Sequence, residues 1–214
     1  MKMRLASISD AGSLAKTHLE CALSQEGAFM PKLGERFLRS YYKIFLSEKN
    51  SVIIVAEDCN GMLLGFSSGT TDAREHSESL RANRIPLGIS LLLSIITFRV
   101  SIRDVFHRYS SLAASNSSSA ITASIGPRGE YWAWRPSVKV PGGAALLRKT
   151  WCNIMRDLGC KSFQYELDLD NSDLEMFRRA FNCSVVRELA LPDGRRRVIV
   201  EESLRGNAPR KDCK

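Results

Sequence analysis

The stretch VKVPGGAALLRKTW, Val138 to Trp151, sets a proline and a glycine pair directly ahead of a helical pattern. The first turn of a helix carries N–H groups without intrahelical partners and a partial positive charge, so it holds an anion wherever no side chain bars the approach. Gly142, Gly143 and Ala144 meet that condition, while Pro141 removes one donor and sets φ at the entrance. The chemistry read from these residues is a phosphate or pyrophosphate cradle. The plainer alternative is a tight strand-to-helix turn. Neither the GxGxxG spacing of dinucleotide-binding folds nor the GxxxxGK signature of phosphate-loop NTPases occurs here.

The other chemistry-bearing side chains are dispersed. His18, His76 and His107 stand singly, with no triad or metal set around them, and read as structural. Six cysteines, at 21, 59, 152, 160, 183 and 213, contain no CxxC pair and no histidine at zinc-ligand spacing, which implies reduced thiols in a cytoplasmic protein. Trp132, Trp134 and Trp151 read as core or pocket wall, and Phe177 and Tyr165 as core.

Elements that position these residues follow from the hydrophobic periods. RLASISD predicts a strand ending at Asp10, an acceptor placed to cap a helix from Ala11 to about Ser24. A second helix follows Pro31, with Leu33, Phe37, Tyr41, Ile44 and Phe45 on one face. Val52–Ala56 and Leu63–Ser68 flank a turn around Asp58–Gly61 and form a hairpin, helped by Asn60-Gly61. Residues 72–119 then read as a mostly helical insertion ending in the low-complexity AASNSSS. A strand over SSAITASIGPRGEYWAWRP, broken near Gly126, leads to the glycines. The following helix presents Ala144, Leu147, Trp151, Ile154 and Leu158 on one face and closes at Gly159. SFQYELDLDN alternates as a strand with Phe163, Tyr165, Leu167 and Leu169 on one side. A short helix, Ser172 to about Phe181, and the strands CSVVRELAL and RRRVIVEES joined at Pro192-Asp193-Gly194 complete the pattern. The order β-α-α-β-β-insertion-β-α-β-α-β-β implies a mixed sheet with helices on both faces.

Length and composition fit one soluble domain: 214 residues, 44% hydrophobic, 25% charged. The net charge of +8 favours an anionic partner, and part of the excess sits near the C-terminus in Arg195, Arg196, Arg197, Arg205, Arg210, Lys211 and Lys214. No aromatic-basic interleaving accompanies it, so no nucleic-acid partner is expected. The opening MKMRLASISDAGSL turns polar at once and predicts no signal peptide. Ile85–Phe98 is uncharged but too short to span a bilayer of about 30 Å, and reads as a buried helix, with a membrane-surface or partner-binding helix as the alternative. Residues 206–214 read as a disordered tail.

Pro136-Ser137-Val138-Lys139-Val140-Pro141-Gly142-Gly143-Ala144 resembles the acyl-CoA-binding motif of the GNAT N-acetyltransferase superfamily, in which Arg or Gln, two residues, Gly, one residue, and Gly or Ala follow the motif strand. Lys139, Gly142 and Ala144 fall in those slots. LGERFLRSYYKIFL and IIVAEDCNGMLLGFSSGTTD are similar to the amino-terminal half of bacterial members that carry a helical insertion before the motif strand. The resemblance implies a single α/β (α+β) domain over 1–205, with a mainly antiparallel mixed sheet flanked by helices and the insertion at 72–119. It implies acetyl-CoA as cofactor and N-acetyl transfer to a small-molecule amine or amino sugar. The shortness of the apolar segment leads us to expect no stable membrane insertion, and the sequence leaves a homodimer open.

The resemblance further implies that the loop from Lys139 through Val140, Pro141, Gly142 and Gly143 to Ala144 holds the pyrophosphate, and that the strand Tyr131, Trp132, Ala133, Trp134 holds pantetheine by its backbone. Asn171 matches the family's pantetheine-contacting Asn. Glu130 is the first candidate for the base that takes the amine proton, ahead of Glu166 and Asp168. The family's Tyr that protonates the thiolate is replaced by Phe177 or Arg178, so Arg178 as a charge stabiliser and Tyr131 or Tyr165 as a donor are the substitutes. That departure keeps a second reading open, a CoA-binding or partner-binding module without turnover. A basic nucleic-acid or membrane-surface binder ranks third.

Overall fold

A computed structural model describes residues 1–22, 30, 33–96, 125–168, 181, 183–190 and 196–204. Its elements are β1 (Lys2–Leu5), α1 (Ala11–Ala22), α2 (Gly34–Ser47), β2 (Ser51–Glu57), β3 (Leu63–Thr70), α3 (Ala73–Ala82), α4 (Arg84–Ile96), β4 (Arg128–Trp134), α5 (Gly143–Asp157), β5 (Ser162–Asp168), β6 (Cys183–Ala190) and β7 (Arg196–Ser203). The strands form one sheet in the order β1-β2-β3-β4-β5-β7-β6. Every pairing is antiparallel except β4 with β5, which is parallel.

Both faces of the sheet are covered, which is why every residue of β3 is buried. Val52, Ile54 and Ala56 of β2 join Leu64, Leu147, Trp151, Met155, Phe163, Tyr165, Val198 and Val200 under α5. The alternate residues Ile53 and Val55 join Phe66, Ala133, Leu14, Ala15, Leu38, Tyr42 and Phe45 under α1 and α2. Trp151 is the largest wholly buried side chain; its indole donates to the Val52 carbonyl at 2.9 Å and lies edge-on to Phe163. Its ring packs so close to Gly69 that a Cβ there would collide with it.

Several expectations change. The first strand stops at Leu5, and a 3₁₀ turn over Ile8–Asp10 intervenes before α1. Asp10 therefore does not cap the helix: its carboxylate accepts the Ser7 N–H at 2.7 Å and the forked Arg4 guanidinium at 2.7 and 2.9 Å. The Arg4 hydrogen bond holds the Asp10 carboxyl down at about 2. On α5 the buried set is Gly143, Leu147, Arg148, Trp151 and Met155, whereas Leu158 is exposed. A charged side chain thus occupies the face that hydrophobic periodicity assigned to apolar residues alone.

The apolar helix is the largest departure. α4 is not buried: Ile85 is 70% exposed and Ile96 60%, with Ile89 and Leu92 also turned to solvent. It lies against α2, where its Ser90 hydroxyl meets that of Ser40 at 2.8 Å, rather than beneath the sheet. Helices α3 and α4 lie in the stretch read as an insertion. The residues after 96, the short helix expected from Ser172 and the C-terminal tail fall outside the described residues.

Candidate functional site

β4 carries an extra residue. Tyr131 pairs with Ser68 and Gly129 with Gly69, so Glu130 bulges between them without an opposite residue on β3. Ser68 closes the irregularity: its hydroxyl accepts the Tyr131 N–H at 3.1 Å and donates to the Tyr131 carbonyl at 3.0 Å. Arg135 N–H donates to the Leu64 carbonyl, so by the alternation of an antiparallel ladder Tyr131 and Ala133 also face β3. Trp132 and Trp134 accordingly direct their backbone N–H and C=O groups toward β5.

β5 does not meet them. Among the described residues the two parallel strands pair at Arg128 and Gln164 alone, where the Gln164 N–H reaches the Pro127 carbonyl at 3.1 Å. The C-terminal half of β4 thus turns main-chain polar groups toward β5 where the described residues of the two strands no longer pair. The Trp134 N–H meets the Cys21 thiol, which α1 brings to that point; burial pushes the thiol up to about 11.

The glycine pair opens α5 at one end of β4. Gly142 is the N-cap residue at φ 70°, left-handed backbone that glycine adopts without strain, and among the described residues no side-chain hydrogen bond caps the helix. Gly143 serves a different need, because a Cβ on it would stand 2.6 and 2.7 Å from the Trp134 ring. That ring is pinned by its Nε1–H donating to the Val138 carbonyl at 3.0 Å. Trp134 therefore braces the loop with its side chain while its backbone faces the gap. Gly143 N–H closes a turn on the Val140 carbonyl, and the first i→i−4 bond runs from Leu146 to Gly142. Ala144 and Ala145 precede it, so their N–H groups project from the helix start beside exposed Lys139, Pro141 and Gly142.

On the α1–α2 side of the sheet, Glu130 sits 3.2 Å from Arg128, which reaches Glu166 at 3.4 Å; Arg197 holds the other oxygen of Glu166 at 3.2 Å. The Glu130 side chain is 16% exposed. Tyr131 packs on the same side, stacked on His18 with ring centres 3.7 Å apart and planes 15° from parallel. His18 Nδ1 is 2.7 Å from the Tyr42 hydroxyl. Burial keeps the Tyr131 phenol protonated well beyond the usual range and pushes His18 down to about 4.

A stability prediction follows for His18. A histidine whose folded pKa lies below its unfolded value of about 6.5 contributes stability above pH 6.5 that is lost as pH falls toward about 4. Denaturant unfolding of the wild type should weaken across that window by on the order of 3 kcal/mol beyond the loss seen in His18→Gln. Equal slopes in the two proteins would show that His18 charges without penalty in the folded state.

On the α5 side, Trp132 and Phe181 enclose Arg148, whose guanidinium lies 4.2 Å from the Phe181 ring centre and 5.5 Å from that of Trp132. Arg148 is 6% exposed and ion-paired with Glu202, which also accepts the Tyr165 O–H at 3.5 Å. Tyr165 is thereby placed in the core under α5, across the sheet from Tyr131. Of the remaining sequence candidates, Asn171, Phe177, Arg178 and Leu169 lie outside the described residues, as does the side chain of Asp168.

The structure gathers Glu130, Tyr131, Trp132, Trp134 and the Lys139–Ala144 loop along one strand and its exit. It adds Cys21, Ser68 and Arg148, to which sequence reading gave no part in the site because each meets it only through tertiary contact, and it lays His18, read from sequence as structural, against Tyr131. Among the described residues no cluster of His, Cys, Asp and Glu is arranged to hold a metal ion, and no helix is long and apolar enough to cross a membrane.

No family model and no curated protein sequence matches this chain. Solved structures do. The PaiA N-acetyltransferase of Thermoplasma acidophilum in complex with coenzyme A superposes with a TM-score of 0.53 at 12% identity, over 95% of this chain and 99% of the other. A GNAT-family acetyltransferase of Bacillus cereus gives 0.52 at 11%, over 94% and 96%. The ribosomal-protein-alanine N-acetyltransferase of Brucella melitensis gives 0.57 at 10%, over 95% and 99%. At such identities the likeness is one of fold, and it extends over nearly the whole chain. Seven strands in this order, with a bulged fourth strand parting from the fifth beside an uncapped glycine-led helix, give this chain the fold of the GNAT N-acetyltransferases.

Proposed function

We propose that the protein is an acetyl-CoA-dependent N-acyltransferase that moves an acetyl group to the amine of a small molecule or amino sugar. The observation that carries this reading is the parting of β4 from β5, among the described residues, next to the glycine-led start of α5, with Trp132 and Trp134 of β4 turning their main chain toward β5. A long ligand with amide groups along it and a pyrophosphate at one end fits both features. The Ala144 and Ala145 N–H groups would hold the pyrophosphate, with the exposed Lys139 adding positive charge. Trp132 and Trp134 would hold the pantetheine, and Asn171 would add its amide, as the resemblance implies. Bound acetyl-CoA would supply an activated acyl thioester.

The chain's own work is proton handling and positioning. Glu130 is the group that takes the proton of the acceptor amine: it is a carboxylate on the motif strand, thrown out by the bulge on the α1–α2 side. Tyr131, kept protonated by burial, is the donor for the departing thiolate, and Arg178 a stabiliser of its charge. His18 and Tyr42 hold Tyr131 in one orientation. A small-molecule acceptor is our reading; the Brucella melitensis relative acts on a ribosomal protein alanine.

Titrating the chain with CoA in a calorimeter, alongside thiol release from acetyl-CoA with glucosamine, spermidine and an alanyl peptide as acceptors, tests the proposal. We expect micromolar CoA binding and turnover with one of the first two amines. Turnover with the peptide alone would reassign the acceptor class. Binding without turnover on any amine would favour the non-catalytic module, the reading that Phe177 and Arg178 at the family's Tyr position keep alive. No binding at millimolar CoA would overturn both.

A further inference from the structure

Helix α4 is folded inside out. Its serines face the protein: Ser94 is buried and Ser90 half-buried, the Ser90 hydroxyl meeting that of Ser40 on α2 at 2.8 Å. The Ser94 hydroxyl comes within 3.6 Å of the place a Cβ on Gly34 would take. Each serine also donates to the carbonyl one turn back, that of Pro86 or Ser90, so both are satisfied within the helix. Ile85, Ile89, Leu92 and Ile96 share the opposite face at one-turn spacing, and each is more than half exposed. An ordered helix that hides serine and shows isoleucine has its apolar face turned to a contact outside the described residues.

The platform beneath that face is fixed. α2 buries Leu38, Tyr42 and Phe45 against the sheet and carries α4 on its outer side. α3 is tied to α2 by buried His76, whose Nδ1 donates to the Glu48 carboxylate at 2.8 and 3.0 Å and whose Nε2 lies 3.5 Å from the Tyr41 hydroxyl. Cations border the apolar face. Arg36 and Lys43 stand one turn either side of Ser40 on α2, and Arg81 and Arg84 lie at the entrance to α4; all four are exposed. The acidic residues of these three helices are Glu35, Glu75 and Glu78, and the last two are engaged by Lys49 at 3.9 Å and Arg74 at 3.0 Å. A second copy of the chain is a poor occupant for such a face. Four side chains fall far short of the about 20–30 residues a side that a stable dimer uses, and two chains of +8 would set these cations against one another. An anionic lipid surface meets both features, with acyl chains for the isoleucines and phosphates for the cations.

We propose that α4 is a membrane-surface helix that docks the protein reversibly on an anionic bilayer. It lies along the surface and crosses nothing: Ile85, Ile89, Leu92 and Ile96 enter the boundary between headgroups and acyl chains, while Arg36, Lys43, Arg81 and Arg84 meet the phosphates. The serine face stays on α2, so docking leaves the fold as it is. This assignment is independent of the acetyl-transfer reading, because none of these residues belongs to the site on β4 and α5.

Co-sedimentation of the full chain with vesicles tests it. Vesicles of phosphatidylglycerol and phosphatidylcholine in equal parts should bind the chain about tenfold or more tighter than phosphatidylcholine alone, and the binding should weaken as salt rises. Ile89→Ser combined with Leu92→Ser should lose about tenfold on the anionic vesicles, with the urea midpoint unchanged because both side chains are exposed. Arg81→Gln combined with Arg84→Gln should erase about tenfold of the preference for phosphatidylglycerol. Undiminished binding in the serine variant would overturn the helix as the anchor and leave the cations alone responsible. No binding to either vesicle would overturn the proposal outright. A dimer in sedimentation equilibrium that the serine variant dissolves would then give the face to a second copy.

Discussion

Glu130→Gln should lower acetyl transfer by 10²- to 10⁴-fold while coenzyme A affinity stays within a factor of two of the wild type. The amide keeps the shape of the carboxylate and a hydrogen-bonding oxygen for Arg128, so the bulge and the strand are preserved. What it loses is the capacity to take a proton. The two effects separate because the residues proposed to hold the cofactor lie elsewhere, in the Trp132 and Trp134 backbone and at the α5 start, while Glu130 stands on the α1–α2 side of the sheet. Arg128 retains Glu166 at 3.4 Å, so no uncompensated cation is created. Kinetics with a turning-over amine and CoA calorimetry on the same preparation decide the matter. Full turnover in the variant would move the base to Glu166 or to water.

The second large effect is expected at the glycine pair, where the two positions should respond differently. A Cβ on Gly143 stands 2.6 and 2.7 Å from the Trp134 ring, and that ring cannot swing aside without breaking its bond to the Val138 carbonyl. Gly143→Ala should therefore cost about 1–3 kcal/mol in urea unfolding by overpacking. It should also raise the CoA Kd at least tenfold, because the shift it forces is borne by the loop that ends in the cradle. Gly142 has open space around its would-be Cβ and only its φ of 70° to object. Gly142→Ala should cost about 1–2 kcal/mol of left-handed backbone strain and change the CoA Kd less than threefold. If both variants lose CoA affinity equally, the helix start depends on backbone conformation alone and the Trp134 wedge is irrelevant to it.

Much of the architecture was legible from local pattern. The alternation of Phe163, Tyr165 and Leu167, the hairpin around Asn60-Gly61 and the helical spacing of Leu147 and Trp151 each report a period that the backbone imposes on any chain, so they survive without tertiary information. Gly143 was likewise visible as a place of close approach, and Gly142 as a glycine at the helix start. Hydrophobicity proved a poorer guide to burial than period. Ile85–Ile96 is the most apolar helix yet lies exposed, whereas Arg148 is buried because Glu202 neutralises it and four aromatic rings surround its guanidinium.

The sequence by itself determined the order of the described strands and helices, the glycine-led helix and the carboxylate on the motif strand, since these depend on residues near one another along the chain. Only the tertiary structure decided that β4 bulges at Glu130, that β4 and β5 part after Arg128 and Gln164, and that His18 stacks on Tyr131 while His76 links Glu48 to Tyr41. The reason is physical. A bulge is defined by the strand opposite, a gap by two strands separated by a helix, and a ring stack by helices laid across the sheet. None of these partners is near in sequence, and no local period records them.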